Sequence, residues 1–88
     1  MLHSTINMWH IYILLCRDKS LYTGITNNLQ KRFQQHINGK GGAYTRSHKP
    51  IKILYVASIA TKSEALKREA YIKTLPRKRK IEELNLSP

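Results

Sequence analysis

The sequence comprises 88 residues, of which 16 are Lys or Arg and 5 are Asp or Glu, so its formal net charge is +11. This length accommodates one domain with a small core, which excludes a multidomain enzyme and an acidic disordered tail. The longest apolar run, residues 11–16, is far shorter than the roughly 20 residues of a membrane-spanning helix. We therefore expect no membrane contact, and the lone Cys16 fits a reducing, cytoplasmic setting. The charge predicts a polyanionic partner, although charge alone does not distinguish DNA from RNA.

The first half of the domain reads as a hairpin followed by a helix. Residues 1–8 are aperiodic and are expected to form a flexible N-terminus, with a single domain over residues 9–86. Aromatic and β-branched residues predict strands at 9–16 and 21–25, joined by a polar turn, and Gly24 indicates a bulge or a close backbone approach. Asn27 or Asn28 is expected to cap a helix that runs to about residue 38 and ends at Gly39.

The second half begins with a loop and a third strand. Residues 39–50 contain three glycines and several cations and predict a mobile, positively charged loop. Residues 51–60 predict a strand with the alternate residues 51, 53, 55, 57 and 59 on one side. Thr61 and Glu64 have the spacing of a capping box, so a helix should begin there and stop near Pro76, and a short helix should follow over residues 77–86. The order β-β-α-β-α-α predicts an α+β fold, a small three-stranded, mainly antiparallel sheet flanked by helices.

Several polar side chains do not fit a purely structural interpretation. Glu69 falls within the apolar arc of its helix, where a carboxylate is costly unless it is paired or bound to a metal. The alternative is a position at the helix edge, with Glu69 paired to Arg68, Lys73 or another cation. Arg32 and His36 are four residues apart and share a helix face, so together they could hold a phosphate and move a proton, or form an ordinary surface pair.

Tyrosines and cations complete the candidate set. Tyr12 and Tyr22 lie on adjacent predicted strands, where tyrosines commonly pack with the hydroxyl on a polar partner. The candidate nucleic-acid-binding cations lie in the predicted loop and toward the C-terminus, where a solvated charge run is the ordinary alternative. They are Lys40, Arg46, Lys49, Lys73, Arg77 and Lys78.

Together these residues resemble the GIY-YIG nuclease superfamily, and most closely its small stand-alone bacterial members. His10-Ile11-Tyr12 stands at the first motif and Tyr22-Thr23-Gly24 at the second, and Arg32 and His36 follow at the family's helical spacing. The helix that carries Glu69 is similar to the one that bears the family's metal-binding glutamate. The similarity covers about residues 8–86. His10 and Thr23 depart from the motifs, and Asn85 is the only match to a terminal asparagine that many members use.

This resemblance implies a metal-dependent DNA endonuclease, of the kind that acts in DNA repair or recombination. It implies Mg²⁺ or Mn²⁺ held by Glu69, with a phosphate oxygen held by Arg32. Tyr22 would be the general base, Tyr12 would orient the water or the phosphate, and His36 would assist Tyr22 or relay its proton. The alternative is a non-catalytic basic module that binds DNA or RNA on the same fold. The sequence does not predict an oligomeric state.

Overall fold

The computed structural model describes residues 8–88, so the predicted flexible N-terminus lies, apart from Met8, outside the described residues. The strands are β1 (Trp9–Cys16), β2 (Leu21–Thr26) and β3 (Pro50–Ile59). The helices are α1 (Leu29–Ile37), α2 (Ala43–Ser47), α3 (Lys62–Thr74) and α4 (Arg77–Leu84). The α+β architecture of three antiparallel strands with flanking helices is confirmed. None of the four helices within residues 8–88 is long and apolar enough to cross a membrane.

The central strand β1 pairs antiparallel with both neighbours, in the order β2-β1-β3. Its residues from Ile11 to Cys16 are all buried, because α1 and α2 lie on one face of the sheet and α3 and α4 on the other. In the β1–β2 hairpin, Tyr12 lies opposite Gly24 and Leu14 lies opposite Tyr22. Because directly opposed residues share a face, both tyrosines point to the same side of the sheet.

A bulge in β3 contradicts the predicted strict alternation. Ile13 lies opposite Tyr55 but Leu14 lies opposite Ile53, so Leu54 is an extra residue without its own partner on β1. Since Ile13 and Leu14 face opposite sides of the sheet, Tyr55 and Ile53 do as well. The prediction that alternate residues of β3 share one side therefore holds for residues 55, 57 and 59, which lie opposite Ile13, Ile11 and Trp9, and is wrong for residue 53.

The main core lies between the sheet and the last two helices. Its fully enclosed members come from β1, from α3 and from the segment after α4: Ile11, Ile13, Ala65, Ile72 and Leu86. Burying each large aliphatic side chain contributes about 1.5–3 kcal/mol, so the isoleucines and the leucine of this cluster together stabilise the fold by several kcal/mol. It holds α3 against β1 and β2, and thereby fixes the helix that carries Glu69.

The helix ends follow the predicted capping residues. The side chain of Asn28 accepts a hydrogen bond from the Lys31 backbone at 3.2 Å, and Thr61 accepts one from the Glu64 backbone at 3.2 Å. Of the two candidate caps for α1, Asn28 is therefore the one used. Gly39 follows α1 with a φ of 75°, a conformation that favours glycine.

The prediction of a mobile loop over residues 39–50 is partly wrong, because this segment contains the short helix α2. Thr45 in the middle of α2 is buried, although most of its neighbours are exposed. Its hydroxyl oxygen lies 2.7 Å from Nδ1 of His36 on α1. This contact between distant residues has no local sequence signature, because a threonine in a glycine-rich segment looks like a surface residue.

Candidate active site

Tyr12 is buried at the centre of the sheet because the facing strand carries a glycine. A Cβ atom at position 24 would lie 2.5 Å from the Tyr12 hydroxyl, so only Gly24 leaves room for the phenol. Tyr22, two residues earlier on β2, remains half-buried, and its ring centroid is 6.4 Å from that of Tyr12. The structure therefore brings together the two tyrosines predicted from the motifs, with only Tyr22 near the surface.

His36 is fully buried and uses both ring nitrogens. Nε2 lies 2.8 Å from the Tyr12 hydroxyl oxygen and Nδ1 lies 2.7 Å from the Thr45 hydroxyl oxygen. Tyr22 meets the imidazole edge-on instead, with ring centroids 5.2 Å apart. The prediction that His36 assists Tyr22 or relays its proton is thus not matched by a hydrogen bond between the two, because Tyr12 and Thr45 occupy both nitrogens.

Tyr12, His36 and Thr45 form a buried trio, in which burial shifts the pKa values of the imidazole and of the phenol. Burial lowers the pKa of His36 from 6.5 to about 4, with a further decrease from the charge of Arg32. Burial also raises the pKa of Tyr12 to about 12; Arg32 opposes this increase, whereas Tyr22 and Glu69 add to it. At neutral pH the imidazole is uncharged, so one nitrogen donates a hydrogen bond and the other accepts one.

Arg32 is anchored to the segment between α1 and α2. Its Nη2 donates to the Gly41 carbonyl at 2.9 Å and its Nη1 donates to the Gln35 side chain at 3.1 Å. Gly41 has a second role, because a Cβ atom there would lie 2.2 Å from Nδ1 of His36. Sequence analysis missed both Gly41 and Thr45. The only available signal was the density of glycines after α1.

Glu69 shows a feature of each interpretation left open by the sequence, because its side chain is mostly buried and is also paired with a cation. Its side chain is 19% exposed, and Oε2 lies 3.4 Å from Nζ of Lys73, whose own side chain is 54% exposed. Glu69 is also close enough to Tyr12 to raise the pKa of that phenol. The carboxylate therefore lies within electrostatic range of Tyr12, and its only cationic partner in the described part of the chain is a lysine that can move away into solvent.

These donors fit a hard divalent cation only if water and substrate supply further ligands. Residues 8–88 contain no group of three or more His, Cys, Asp or Glu side chains that could hold a metal ion. Glu69 supplies carboxylate oxygen, which Mg²⁺ and Mn²⁺ prefer, and Mg²⁺ commonly retains waters beside one or two carboxylates. Lys73 would have to leave the carboxylate when the cation binds.

The predicted nucleic-acid-binding cations occupy different surroundings. Arg46 and Lys49 line a cavity of about 550 Å³ that reaches His36 and Thr45. Arg77 lies beside a second cavity and donates a hydrogen bond to the Lys19 carbonyl. The others, Lys40, Lys73 and Lys78, are exposed.

The two motif departures, His10 and Thr23, and the terminal Asn85 lie in different structural settings. His10 Nδ1 lies 3.1 Å from the Ser58 hydroxyl across the β1–β3 pair. Thr23 is buried, and within residues 8–88 its hydroxyl has no hydrogen-bonding partner, which is an energetic cost. Asn85 has a φ of 56° and a ψ of 48° and ends α4 in the left-handed conformation that asparagine tolerates.

Comparison with known proteins identifies the class to which this fold and site belong. The family model of the GIY-YIG catalytic domain matches residues 8–82, and the chain belongs to this nuclease family. The chain is 54% identical over 72 residues to the UPF0213 protein OB0043 of Oceanobacillus iheyensis, covering 82% of this chain and 84% of that protein. It is 51% identical over 75 residues to the UPF0213 protein CPE1444 of Clostridium perfringens, covering 85% of this chain and 81% of that protein.

Two solution NMR structures share the fold. The protein EF2693 of E. faecalis aligns with a TM-score of 0.64 and 35% identity, over 97% of this chain and 88% of that one. The UPF0213 protein BH0048 of Bacillus halodurans aligns with a TM-score of 0.58 and 35% identity, over 89% of this chain and 83% of that one. The predicted resemblance to small bacterial GIY-YIG proteins is confirmed.

Proposed function

We propose that this protein is a metal-dependent endonuclease that hydrolyses phosphodiester bonds in DNA. The observation that carries the proposal is the cluster of Tyr12, Tyr22 and His36, whose ring centroids lie 5.2 to 6.4 Å apart. Arg32 and Glu69 both lie within electrostatic range of the Tyr12 phenol. These groups suit the hydrolysis of a phosphodiester. The carboxylate can bind a metal cation, the guanidinium can bind a phosphate oxygen, and one of the two phenols can accept a proton.

The two tyrosines suit different roles. Tyr12 is buried, its hydroxyl is bonded to His36 and its pKa is about 12, so it is a poor base at neutral pH. It acts as a positioning residue. Tyr22 is half-buried and can contact an attacking water, so we assign it the role of general base. His36 holds the Tyr12 hydroxyl and does not itself exchange a proton with Tyr22.

Arg32 and Glu69 act on the phosphate from different elements. The Arg32 guanidinium, held by the Gly41 carbonyl, would bind a non-bridging oxygen of the scissile phosphate. Glu69 would hold Mg²⁺ or Mn²⁺ after Lys73 has left its carboxylate. When bound, the cation would supply neutralisation of the charge that develops on the phosphate and on the leaving oxygen.

Nicking of supercoiled plasmid at low salt, with Mg²⁺ or Mn²⁺, tests this function. Glu69→Ala should abolish cleavage, whereas Glu64→Ala, the same change at an exposed position on α3, should retain it. Tyr22→Phe keeps the ring and should slow cleavage by about 10²–10⁴-fold, the usual contribution of a general base. Equal cleavage by wild type and Glu69→Ala would contradict the metal assignment.

The net charge of +11 also supports a second candidate, a nucleic-acid-binding module without turnover. The same plasmid assay separates the two candidates when salt-dependent binding is measured alongside it. Binding that weakens with salt, combined with no metal-dependent cleavage of plasmid or of branched and single-stranded DNA, would favour the module.

A further inference from the structure

Three aromatic rings form a continuous stack that leads from the candidate site to the surface. Tyr22 on β2 stacks with Tyr44 on α2 at a centroid distance of 5.6 Å and an interplanar angle of 28°. Tyr44 stacks in turn with His48, at 4.0 Å and 9°. The stack therefore connects the proposed general base to the ring of His48, which forms its outer end.

The outer rings are held in place although they are not part of the core. Tyr44 is 38% exposed and the side chain of His48 is 36% exposed. The Nδ1–H of His48 donates to the Tyr44 carbonyl at 2.9 Å, and Nε2 lies 3.6 Å from the Asp18 carboxylate. A parallel ring pair that is held by this hydrogen bond and by the stack on Tyr22, and left open to solvent, is preorganised to receive a further flat ring.

The cavity beside His48 contains groups that suit a nucleotide. It measures about 230 Å³ and is lined by His48, two cations from separate segments, a serine and a carboxylate. Arg17 and Lys49 can contact phosphates on the strand. A carboxylate repels a phosphate anion, but Asp18 can accept hydrogen bonds from the ring N–H or amino group of a base.

We propose that the Tyr44–His48 pair is a stacking site for an unpaired nucleobase close to the cleaved phosphodiester. The base enters the cavity, stacks on His48 and extends the three-ring stack, while Arg17 and Lys49 contact the flanking phosphates. Aromatic rings beside backbone-binding cations are the combination by which proteins hold single strands, and a base paired in a duplex has no free face to offer. This inference rests on the proposed function, because it names the kind of DNA that the site accepts.

Binding of a fluorescent twelve-nucleotide single strand to the Glu69→Ala protein without metal tests the site separately from cleavage. The strand carries one 2-aminopurine, whose fluorescence falls when it stacks, and a hairpin duplex of equal charge serves for comparison. His48→Leu should weaken single-strand binding about 5- to 100-fold and abolish the quenching, with little effect on the duplex. His48→Phe, which keeps a flat ring, should restore both.

Tyr71→Leu is the matched control, since Tyr71 is exposed on α3, where its hydroxyl donates to Glu83, and lies outside the stack. It should leave single-strand binding and quenching unchanged. Equal losses for strand and hairpin, or quenching that survives in His48→Leu, would overturn the stacking site. If the 2-aminopurine stacks but the wild-type protein cleaves no DNA, the stacking site is supported and the nuclease proposal is refuted. If the wild-type protein cleaves DNA but no stacking is detected, the nuclease proposal stands and the stacking site is refuted.

Discussion

Gly41→Ala should disrupt the candidate site through a single methyl group. The added Cβ would lie 2.2 Å from Nδ1 of His36, whereas favourable non-bonded contacts between heavy atoms lie at about 3.5 Å. The imidazole cannot rotate aside without breaking its hydrogen bonds to Tyr12 and Thr45. The two bonds leave the ring in different directions, so a displacement of about 1 Å along either one would lengthen that bond beyond the range of a hydrogen bond.

The expected loss of stability follows from these contacts. Overpacking a close-fitting site costs about 1–3 kcal/mol, and a buried polar group left without its partner costs about 1–3 kcal/mol. We therefore expect Gly41→Ala to reduce the free energy of unfolding by about 2–6 kcal/mol. The melting temperature should fall by at least about 8 °C. The Arg32 hydrogen bond to the Gly41 carbonyl would be disturbed together with the imidazole, so plasmid nicking should also fall.

Gly39→Ala is the control, because a Cβ there meets nothing within 4 Å although φ is 75°. It should lose only about 1–2 kcal/mol through the left-handed backbone and retain nicking activity. Urea unfolding, plasmid nicking and the imidazole nitrogen resonances of His36 measure the three effects. Wild-type stability and unchanged His36 resonances in Gly41→Ala would refute the packing argument.

Three further predictions concern the same site. Lys73→Met removes the competing cation from Glu69, so Mn²⁺ should bind up to about fivefold more tightly in calorimetry of the DNA-free protein; unchanged affinity would show that the ion pair does not compete. Thr45→Val leaves Nδ1 of His36 unpaired and should lower the free energy of unfolding by about 1–3 kcal/mol in urea, and wild-type stability would mean that water replaces the hydroxyl. The pKa of His36 is about 4 in the folded protein and 6.5 as its ordinary value, so the unfolded chain binds more protons between these values. Stability should therefore decline as the pH falls from 6.5 toward 4, and His36→Asn should flatten this dependence; an unchanged slope would contradict the lowered pKa.

Local sequence patterns determined the order of all the elements except α2, the helix caps and the positions of the motif residues. Asn28 and Thr61 cap helices because each side-chain oxygen accepts a backbone hydrogen bond three residues ahead, and short-range chemistry of this kind is legible in the sequence. The pairing of Tyr12 with Gly24 follows from the antiparallel register of one hairpin. The α+β class and the family resemblance rest on these short-range features.

Only the tertiary structure decided what the candidate site residues contact. His36 and Thr45 are nine residues apart and meet because α2 folds back over α1, which no periodicity predicts. The bulge at Leu54 changed which residues of β3 share a face, because one extra residue reverses the alternation. Helical spacing placed Glu69 within an apolar arc, but its distance from Lys73 and its influence on Tyr12 depend on how α3 packs against the sheet. Such contacts between distant segments arise from packing of the whole chain, so the chemistry of the site can be inferred only from the folded structure.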